Sequence, residues 1–247
     1  MEAPVTDVPP AKRWWAPGAD PDVPRIGVRR AVVEVTLVYL AFFAAGVVAA
    51  GLIVGGHSHD FPTDGSWGVY MTETVSVLSE MGLAVAVVIL LAGRRGVSPA
   101  ALGLSVPRLP DGRVAVSAMI RMAAWCFVAI GVGLTVTGLL ETGHLPKGHT
   151  SAPLLIIDAV HSVDAGVVEE LVVLAFVVVT LRQAGLSWAV VTPAALVLRA
   201  AYHIYYGPGV VGILIWAALF FWIYLRFRTI VPLIICHAYW DIIVSLG

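Results

Sequence analysis

The sequence predicts an all-α fold, a polytopic integral membrane bundle of about seven to eight transmembrane helices. Three observations support this prediction. Hydrophobic residues make up 59% of the 247 residues and charged residues only 13%, whereas soluble proteins average roughly a quarter charged residues. The apolar runs are long, and they lack the alternating polarity of barrel strands. A backbone that crosses lipid in such runs must satisfy its hydrogen bonds within helices.

Seven apolar runs are long enough, or nearly so, to cross roughly 30 Å of hydrocarbon at about 1.5 Å per residue. In chain order they lie near residues 31–54, 69–92, 118–140, 165–181, 187–206, 209–225 and 229–246. The stretch at 152–164, "APLLIIDAVHSVD", is apolar but short and interrupted. It is interpreted either as an interfacial helix or as the first part of a long fourth span.

These runs divide the chain into three parts. Residues 1–30 mix Pro, Asp and Arg without an apolar core, which predicts a flexible cytoplasmic tail and not a cleaved signal peptide. Trp14 and Trp15 in this tail are expected at the membrane surface, where aromatic rings gather. Residues 31–151 hold the N-terminal transmembrane helices, and residues 152–247 form the C-terminal core.

Net charge and cysteine content narrow the class further. The formal net charge is −1, which gives no reason to expect a nucleic acid as a partner. Cys126 and Cys236 both fall within apolar runs, so they are interpreted as small core residues and not as a disulfide framework.

The distribution of positive charge predicts a multi-pass protein of the cell membrane with a cytoplasmic N-terminus. If the seven spans alternate in direction, the inner segments hold twelve Lys and Arg residues and the outer segments only Lys147. Cytoplasmic segments of membrane proteins carry such an excess. The inner residues are Lys12, Arg13, Arg25, Arg29, Arg30, Arg94, Arg95, Arg108, Arg113, Arg182, Arg226 and Arg228. The C-terminus then lies outside, directly after the last span.

Ionisable residues on three C-terminal spans are the candidate functional groups. They are Glu169 and Glu170 on the fourth span, Arg199 and His203 on the fifth, and His237 and Asp241 on the seventh. In this orientation they lie at a similar depth, nearer the outer face. Ionisable groups are costly at membrane depth, so they are expected to point into the bundle and to satisfy one another.

Local spacing supports this convergence. Arg199 and His203 are four residues apart, as are His237 and Asp241, so each pair would share one face of a helix. The adjacent glutamates in "VVEELVVLAF" are about 100° apart around an α-helix. One of them is therefore expected to face the cavity while the other meets a neighbouring helix. Carboxylates and imidazoles in one dry cleft would make a site able to activate water.

Three motifs in this order, "EELVVLA", "RAAYHIYYG" and "HAYWD", resemble the CPBP intramembrane protease family. That family includes CAAX prenyl endopeptidases of the Rce1 type and bacterial proteins linked to bacteriocin processing and immunity. Its pattern is roughly EExxxR, then FxxxH, then HxxxN or HxxxD. The resemblance covers residues 152–247. It implies an intramembrane endopeptidase that cleaves a peptide or membrane-protein substrate within the lipid bilayer.

The resemblance also implies roles for the matching residues. Glu169, next to Glu170, would act as general base on a water that attacks the scissile carbonyl, and His203 would position or deprotonate that water. His237 and Asp241 would stabilise the oxyanion, or Asp241 would orient the His237 ring. The same Glu169, His203 and His237 would also suit a catalytic divalent metal such as zinc. No HExxH motif is present, so metal dependence stays open.

Two positions depart from the family pattern. Leu174 stands where the pattern has arginine, and Arg199 stands where it has phenylalanine. One arginine is lost and another is gained in the same predicted layer. The hypothesis is that Arg199 pairs with Glu170 and keeps that carboxylate ionised.

Other interpretations of the same residues stay open. The two glutamates could be a structural pair closing onto Arg199, and His203 could be an interfacial residue among tyrosines. A catalytically degenerate scaffold or immunity protein with the protease fold is one alternative function. A proton-coupled transporter of small solutes is another, although no inverted repeat is evident.

Some polar residues lie outside these motifs. Glu80 falls in the middle of the second span and needs a partner that the sequence does not identify. Asp158, His161 and Asp164 precede the glutamates and would line the entrance to the site. The remaining histidines, expected as solvated residues of outer loops, are His57, His59, His144 and His149.

Overall fold

The computed structural model describes residues 23–56, 67–107, 111, 113–140 and 152–246. Within these ranges every regular element is a helix, which confirms the all-helical fold class. The elements are α1 (Val28–Val54), α2 (Trp67–Gly93), α3 (Val116–Leu140), α4 (Ala152–Val168), a π-helical segment (Glu169–Phe176), α5 (Val177–Gln183), α6 (Trp188–Ala201), a 3-10 helix (Ile204–Gly209), α7 (Val210–Phe227) and α8 (Val231–Leu246).

Some residues interpreted from the sequence lie outside the described ranges. They are Lys12, Arg13, Trp14, Trp15, His57, His59, Arg108, His144, Lys147 and His149. The division of the chain into a tail, N-terminal helices and a C-terminal core stays a prediction.

Four helical stretches in the described part are long and apolar enough to cross a membrane. They are Val28–Val54, Gly68–Gly93, Val116–Leu140 and Ile204–Phe227. The stretches Trp188–Ala201 and Val231–Ser245 are apolar but shorter.

The predicted fourth span belongs to a longer continuous helix. α4 runs without a break into the π-helical segment and then into α5. The ambiguous stretch at 152–164 is therefore the first part of this long helix. All eight residues of the π-helical segment are buried, and α1, α2 and α6 contact it. The segment that carries the two glutamates is thus the centre of the bundle.

The fifth predicted span ends earlier than expected. The apolar run predicted a helix to residue 206, but α6 ends at Ala201 and a short 3-10 helix follows. Within that 3-10 helix Gly207 has a φ of 54° and precedes Pro208, a combination that a continuous α-helix does not accommodate. His203 therefore lies in the turn between two helices.

α4 and α8 approach each other closely at Gly166. A Cβ atom added at Gly166 would lie 2.9 Å from the carbonyl oxygen of Ile234 and 3.0 Å from the backbone nitrogen of Ala238. Small residues allow two helix backbones to approach in this way within membranes. The contact holds α8, and with it His237, against the helix that carries the glutamates.

A buried arginine ties α1, the end of α2 and α5 together. The Arg95 side chain is fully buried, its Nη1 donates to Thr180 Oγ1 at 3.0 Å, and it lies 3.1 Å from Glu34 Oε2. Glu34 also accepts from Arg30 at 2.7 Å. Burial lowers the pKa of the Arg95 guanidinium from its usual value, and the charge of Glu34 opposes that change. These contacts fix the end of the bundle at which α2 ends.

Candidate active site

The π-helical segment presents both glutamates to one cluster. Its i→i+5 hydrogen bonding gives more residues per turn than the 3.6 of an α-helix, so successive side chains are less than 100° apart. Glu169 and Glu170 both contact Arg199 and both approach His237. Glu170 is fully buried against His237 of the neighbouring α8, whereas the Glu169 side chain stays 11% exposed. π-helical turns are often found at functional sites.

Arg199 bridges the two carboxylates. Its Nη1 donates to Glu169 Oε2 and its Nη2 donates to Glu170 Oε1, each at 2.9 Å. The predicted contact with Glu170 is present, and the contact with Glu169 adds to it. The arginine side chain is only 4% exposed, and Trp216 lies with its ring centre 5.5 Å from the guanidinium carbon. A buried charge needs paired, hydrogen-bonded partners of this kind.

His237 on α8 joins the same cluster. Its Nδ1 lies 2.8 Å from Glu170 Oε1, and because an ionised carboxylate only accepts hydrogen bonds, Nδ1 carries a proton. Its Nε2 faces Asp241 Oδ2 at 3.4 Å and Glu169 Oε2 at 3.9 Å. Trp216 packs edge-on against the imidazole, with ring centres 4.7 Å apart. Asp241 is the more open member, with 38% of its side chain exposed.

His203 reaches Glu169 from the turn after α6. Its Nε2 lies 3.7 Å from Glu169 Oε2, and neither ring nitrogen has a hydrogen-bond partner among the described residues. The premise that His203 shares a helix face with Arg199 is wrong because α6 ends before it. The turn nevertheless brings His203 to the same carboxylate. Its unpaired nitrogens leave it able to bind water or substrate.

Two aromatic residues of the site were not identified from the sequence. The Tyr202 hydroxyl donates to Glu169 Oε2 at 3.0 Å, and its ring stacks on Phe43 of α1 at 4.7 Å. Trp216 lies between Arg199 and His237. From the sequence, Tyr202 is only one of the tyrosines beside His203. Its position directly before His203 was the one available signal.

The structure thus brings all six predicted site residues together, and their catalytic roles stay predictions. Glu169 is the common partner: Arg199, Tyr202, His203 and His237 all lie within 3.9 Å of its Oε2. Three carboxylates surround the cluster, and Arg199 is its permanent positive charge. Chemically, this arrangement offers an oriented carboxylate beside two imidazoles.

The predicted zinc ligands Glu169, His203 and His237 do not fit a metal ion in this arrangement. Within the described residues no group of three or more His, Cys, Asp or Glu side chains is placed to hold one. The oxygen of Glu169 that faces both imidazoles already accepts from Arg199 and Tyr202. A guanidinium at that oxygen also repels a second cation. Metal dependence stays a prediction.

Fold and site together define a helical membrane protein with a buried cluster of carboxylates, imidazoles and one arginine. Residues 151–243 match the family of type II CAAX prenyl endopeptidases described as Rce1-like. This match confirms the resemblance drawn from the three motifs. The match implies a protease-type function in the membrane. No curated protein and no solved structure matches the chain.

Proposed function

We propose that the protein is an intramembrane endopeptidase of the CAAX protease type that hydrolyses a peptide bond of a membrane-associated substrate. One observation carries this proposal. Glu169 Oε2 faces His203 at 3.7 Å and His237 at 3.9 Å, which is too long for direct hydrogen bonds and close enough for one water beside the cluster to contact all three groups. A carboxylate beside two imidazoles is a suitable general base for such a water.

In the proposed reaction Glu169 accepts a proton from water while His203 holds that water by a ring nitrogen. The hydroxyl oxygen bonds to the scissile carbonyl carbon, and the carbonyl oxygen becomes an oxyanion. Glu169 then returns the proton to the amide nitrogen as the carbon–nitrogen bond breaks. Arg199 and Tyr202 hold the Glu169 carboxylate in place by their hydrogen bonds.

His237 is the proposed oxyanion donor. Since Nδ1 donates to Glu170, Nε2 can donate only when the ring is the imidazolium. Carboxylate oxygens of Glu169, Glu170 and Asp241 lie within 3.9 Å of its ring nitrogens and can pair with that imidazolium. Glu170, whose side chain is fully buried, is better described as a positioning residue that holds both His237 and Arg199.

The proposed location is the cell membrane, with a cytoplasmic N-terminus and the site in the outer half of the bilayer. Two backbone hydrogen bonds agree with the alternating order of the spans: Ile26 donates to Gln183 at 3.2 Å, and Ile230 donates to Gly103 at 2.9 Å. Each bond joins two segments that the charge pattern assigns to the inner side of the membrane. The proposed partners are lipids and a peptide or membrane-protein substrate.

A cleavage assay tests the proposed activity. The purified protein in liposomes is incubated with prenylated CAAX peptides and with membrane-anchored leader peptides, and products are identified by mass spectrometry. Glu169→Gln and His203→Ala should each reduce turnover by about 10²–10⁴-fold, the usual contribution of a general base. Both variants must insert and elute like the unmodified protein. Undiminished turnover in both would remove the catalytic assignment.

A catalytically degenerate scaffold is the second candidate, and the Arg199 bridge is the observation in its favour. A guanidinium that pairs with both glutamates competes with water for the Glu169 oxygen that would accept its proton. If no substrate class is cleaved by the unmodified protein while the assay detects an active member of the same family, the scaffold function is the better one.

A further inference from the structure

Glu80 lies at the edge of the packed face of α2, and it is exposed. It occupies the middle of α2, at the depth where an ionisable group is most costly in lipid. Val77, three residues earlier, and Ala84, four residues later, share its face of the helix. Both are buried, with 7% and 0% exposure. Leu83, three residues later, is 58% exposed, so Glu80 lies at the border between the packed and the exposed faces of α2.

α4 places a second row of titratable groups opposite this part of α2. His161 Nε2 lies 3.3 Å from Glu73 Oε1, which fixes the outer part of α4 beside the outer part of α2. One turn further along α4, Asp164 lies within electrostatic range of both Glu80 and Glu169. The row thus runs from Glu73 and His161 past Glu80 and Asp164 to the candidate base.

The two ends of this row differ in exposure. About two fifths of the Glu73 and His161 side chains are exposed, at 41% and 42%. At the inner end, 11% of the Glu169 side chain is exposed. Asp158 Oδ2 and Asp164 Oδ1 are buried, and neither has a hydrogen-bond partner among the described residues. Buried carboxylate oxygens are almost always hydrogen-bonded, to protein or to water.

Acyl chains cannot satisfy such a row. Lipid offers no hydrogen bonds, so four ionisable groups facing it would each carry a large desolvation cost. We propose that the space between α2 and α4, lined by Glu73, Glu80, His161 and Asp164, is a water-filled groove that connects the membrane surface with Glu169. This groove supplies the water that the proposed hydrolysis consumes. Its existence rests on the membrane fold, and only its use rests on the proposed function.

Carboxylate labelling of the unmodified protein tests the groove directly. Membranes are treated on both faces with a water-soluble carbodiimide and an amine nucleophile, or with a lipid-soluble carbodiimide, and modified residues are mapped by mass spectrometry. Glu80 and Asp164 should be modified by the water-soluble reagent, while the fully buried Glu170 should stay unmodified. Modification of Glu80 by the lipid-soluble reagent alone would overturn the proposal.

Single-cysteine variants provide a matched comparison at one depth. Cys126 and Cys236 are replaced by alanine, and Glu80→Cys is compared with Leu78→Cys. Leu78 is 46% exposed and lies about 160° around α2 from Glu80. A thiol reacts as the thiolate, which forms in water and not in hydrocarbon. A charged thiosulfonate should therefore modify residue 80 about tenfold faster, or more, than residue 78.

Equal and slow rates at the two positions would overturn the proposal. So would spontaneous disulfide-linked dimers of Glu80→Cys, because a second copy of the chain would then cover residue 80. The labelling result does not depend on cleavage. If residue 80 is labelled and no substrate is hydrolysed, the groove stands and the proposed peptidase function fails.

Discussion

At the scale of single residues, Arg199 is the most informative position. It donates to both glutamates, and it lines a small apolar cleft together with Leu174. Leu174, which stands where the family pattern has arginine, and Arg199, the arginine this chain has gained, are therefore neighbours in space. A guanidinium placed at residue 174 would enter the same layer of the bundle. This proximity gives the compensation hypothesis its structural basis.

Exchanging the two positions tests that hypothesis. Arg199→Phe alone should destabilise the protein by about 3–5 kcal/mol, since removing one partner leaves buried carboxylates unpaired. The double variant Arg199→Phe with Leu174→Arg should recover much of the stability and any cleavage activity. Stability is measured by thermal unfolding in detergent and followed by size-exclusion chromatography. If Arg199→Phe keeps both fold and activity, Arg199 does not compensate for the missing arginine.

The residues missed by sequence reasoning share a physical cause. Tyr202 donates to Glu169 and Trp216 packs between two site residues, yet aromatic side chains are common throughout membrane helices. Charged residues at membrane depth were identified because lipid cannot solvate them. An aromatic ring is stable in lipid and in protein alike, so only tertiary packing shows that it belongs to the site.

At the scale of helices, the apolar runs predicted where elements lie, but not how two of them end or wind. Run length predicted α1, α2 and α3 to within a few residues. The π-helical winding at Glu169–Phe176 depends on packing from neighbouring helices, and the residue pattern alone does not encode it. α6 ended at Ala201 although apolar residues continue, because hydropathy reports solvent preference and not backbone geometry.

The contact between α4 and α8 leads to a prediction at this scale. Gly166→Ala should destabilise the protein by about 1–3 kcal/mol, because the new methyl group meets backbone atoms of α8 that cannot move separately. Separation of the helices would also lengthen the contact between His237 and Glu170, so turnover should fall.

Gly82→Ala is the matched control for that variant. A Cβ atom added at Gly82 meets nothing within 4 Å, so this change should be neutral or slightly stabilising, as alanine is the better helix former. Thermal unfolding and turnover are measured for both variants. Equal behaviour of the two would show that close approach at Gly166 does not matter.

At the scale of the whole molecule, the N-terminal helices complete a site that the C-terminal motifs begin. α1 supplies Phe43, on which Tyr202 stacks, and α2 faces the row of titratable groups on α4. The family match covers residues 151–243 alone, and no motif in the first three spans pointed to the site. The contribution of α1 and α2 to the site is therefore visible from their packing contacts and not from sequence motifs.

The number of crossings leads to a prediction about topology. Because α4, the π-helical segment and α5 form one continuous helix, the chain should cross the bilayer seven times and its ends should lie on opposite sides. The excess of positive charge at the inner ends predicts that the N-terminus lies in the cytoplasm. Green fluorescent protein fused before residue 1 should fluoresce, and alkaline phosphatase fused after residue 247 should be active. The same reporter active at both ends would require an even number of crossings, and α6 with its 3-10 helix would then be the element that fails to span.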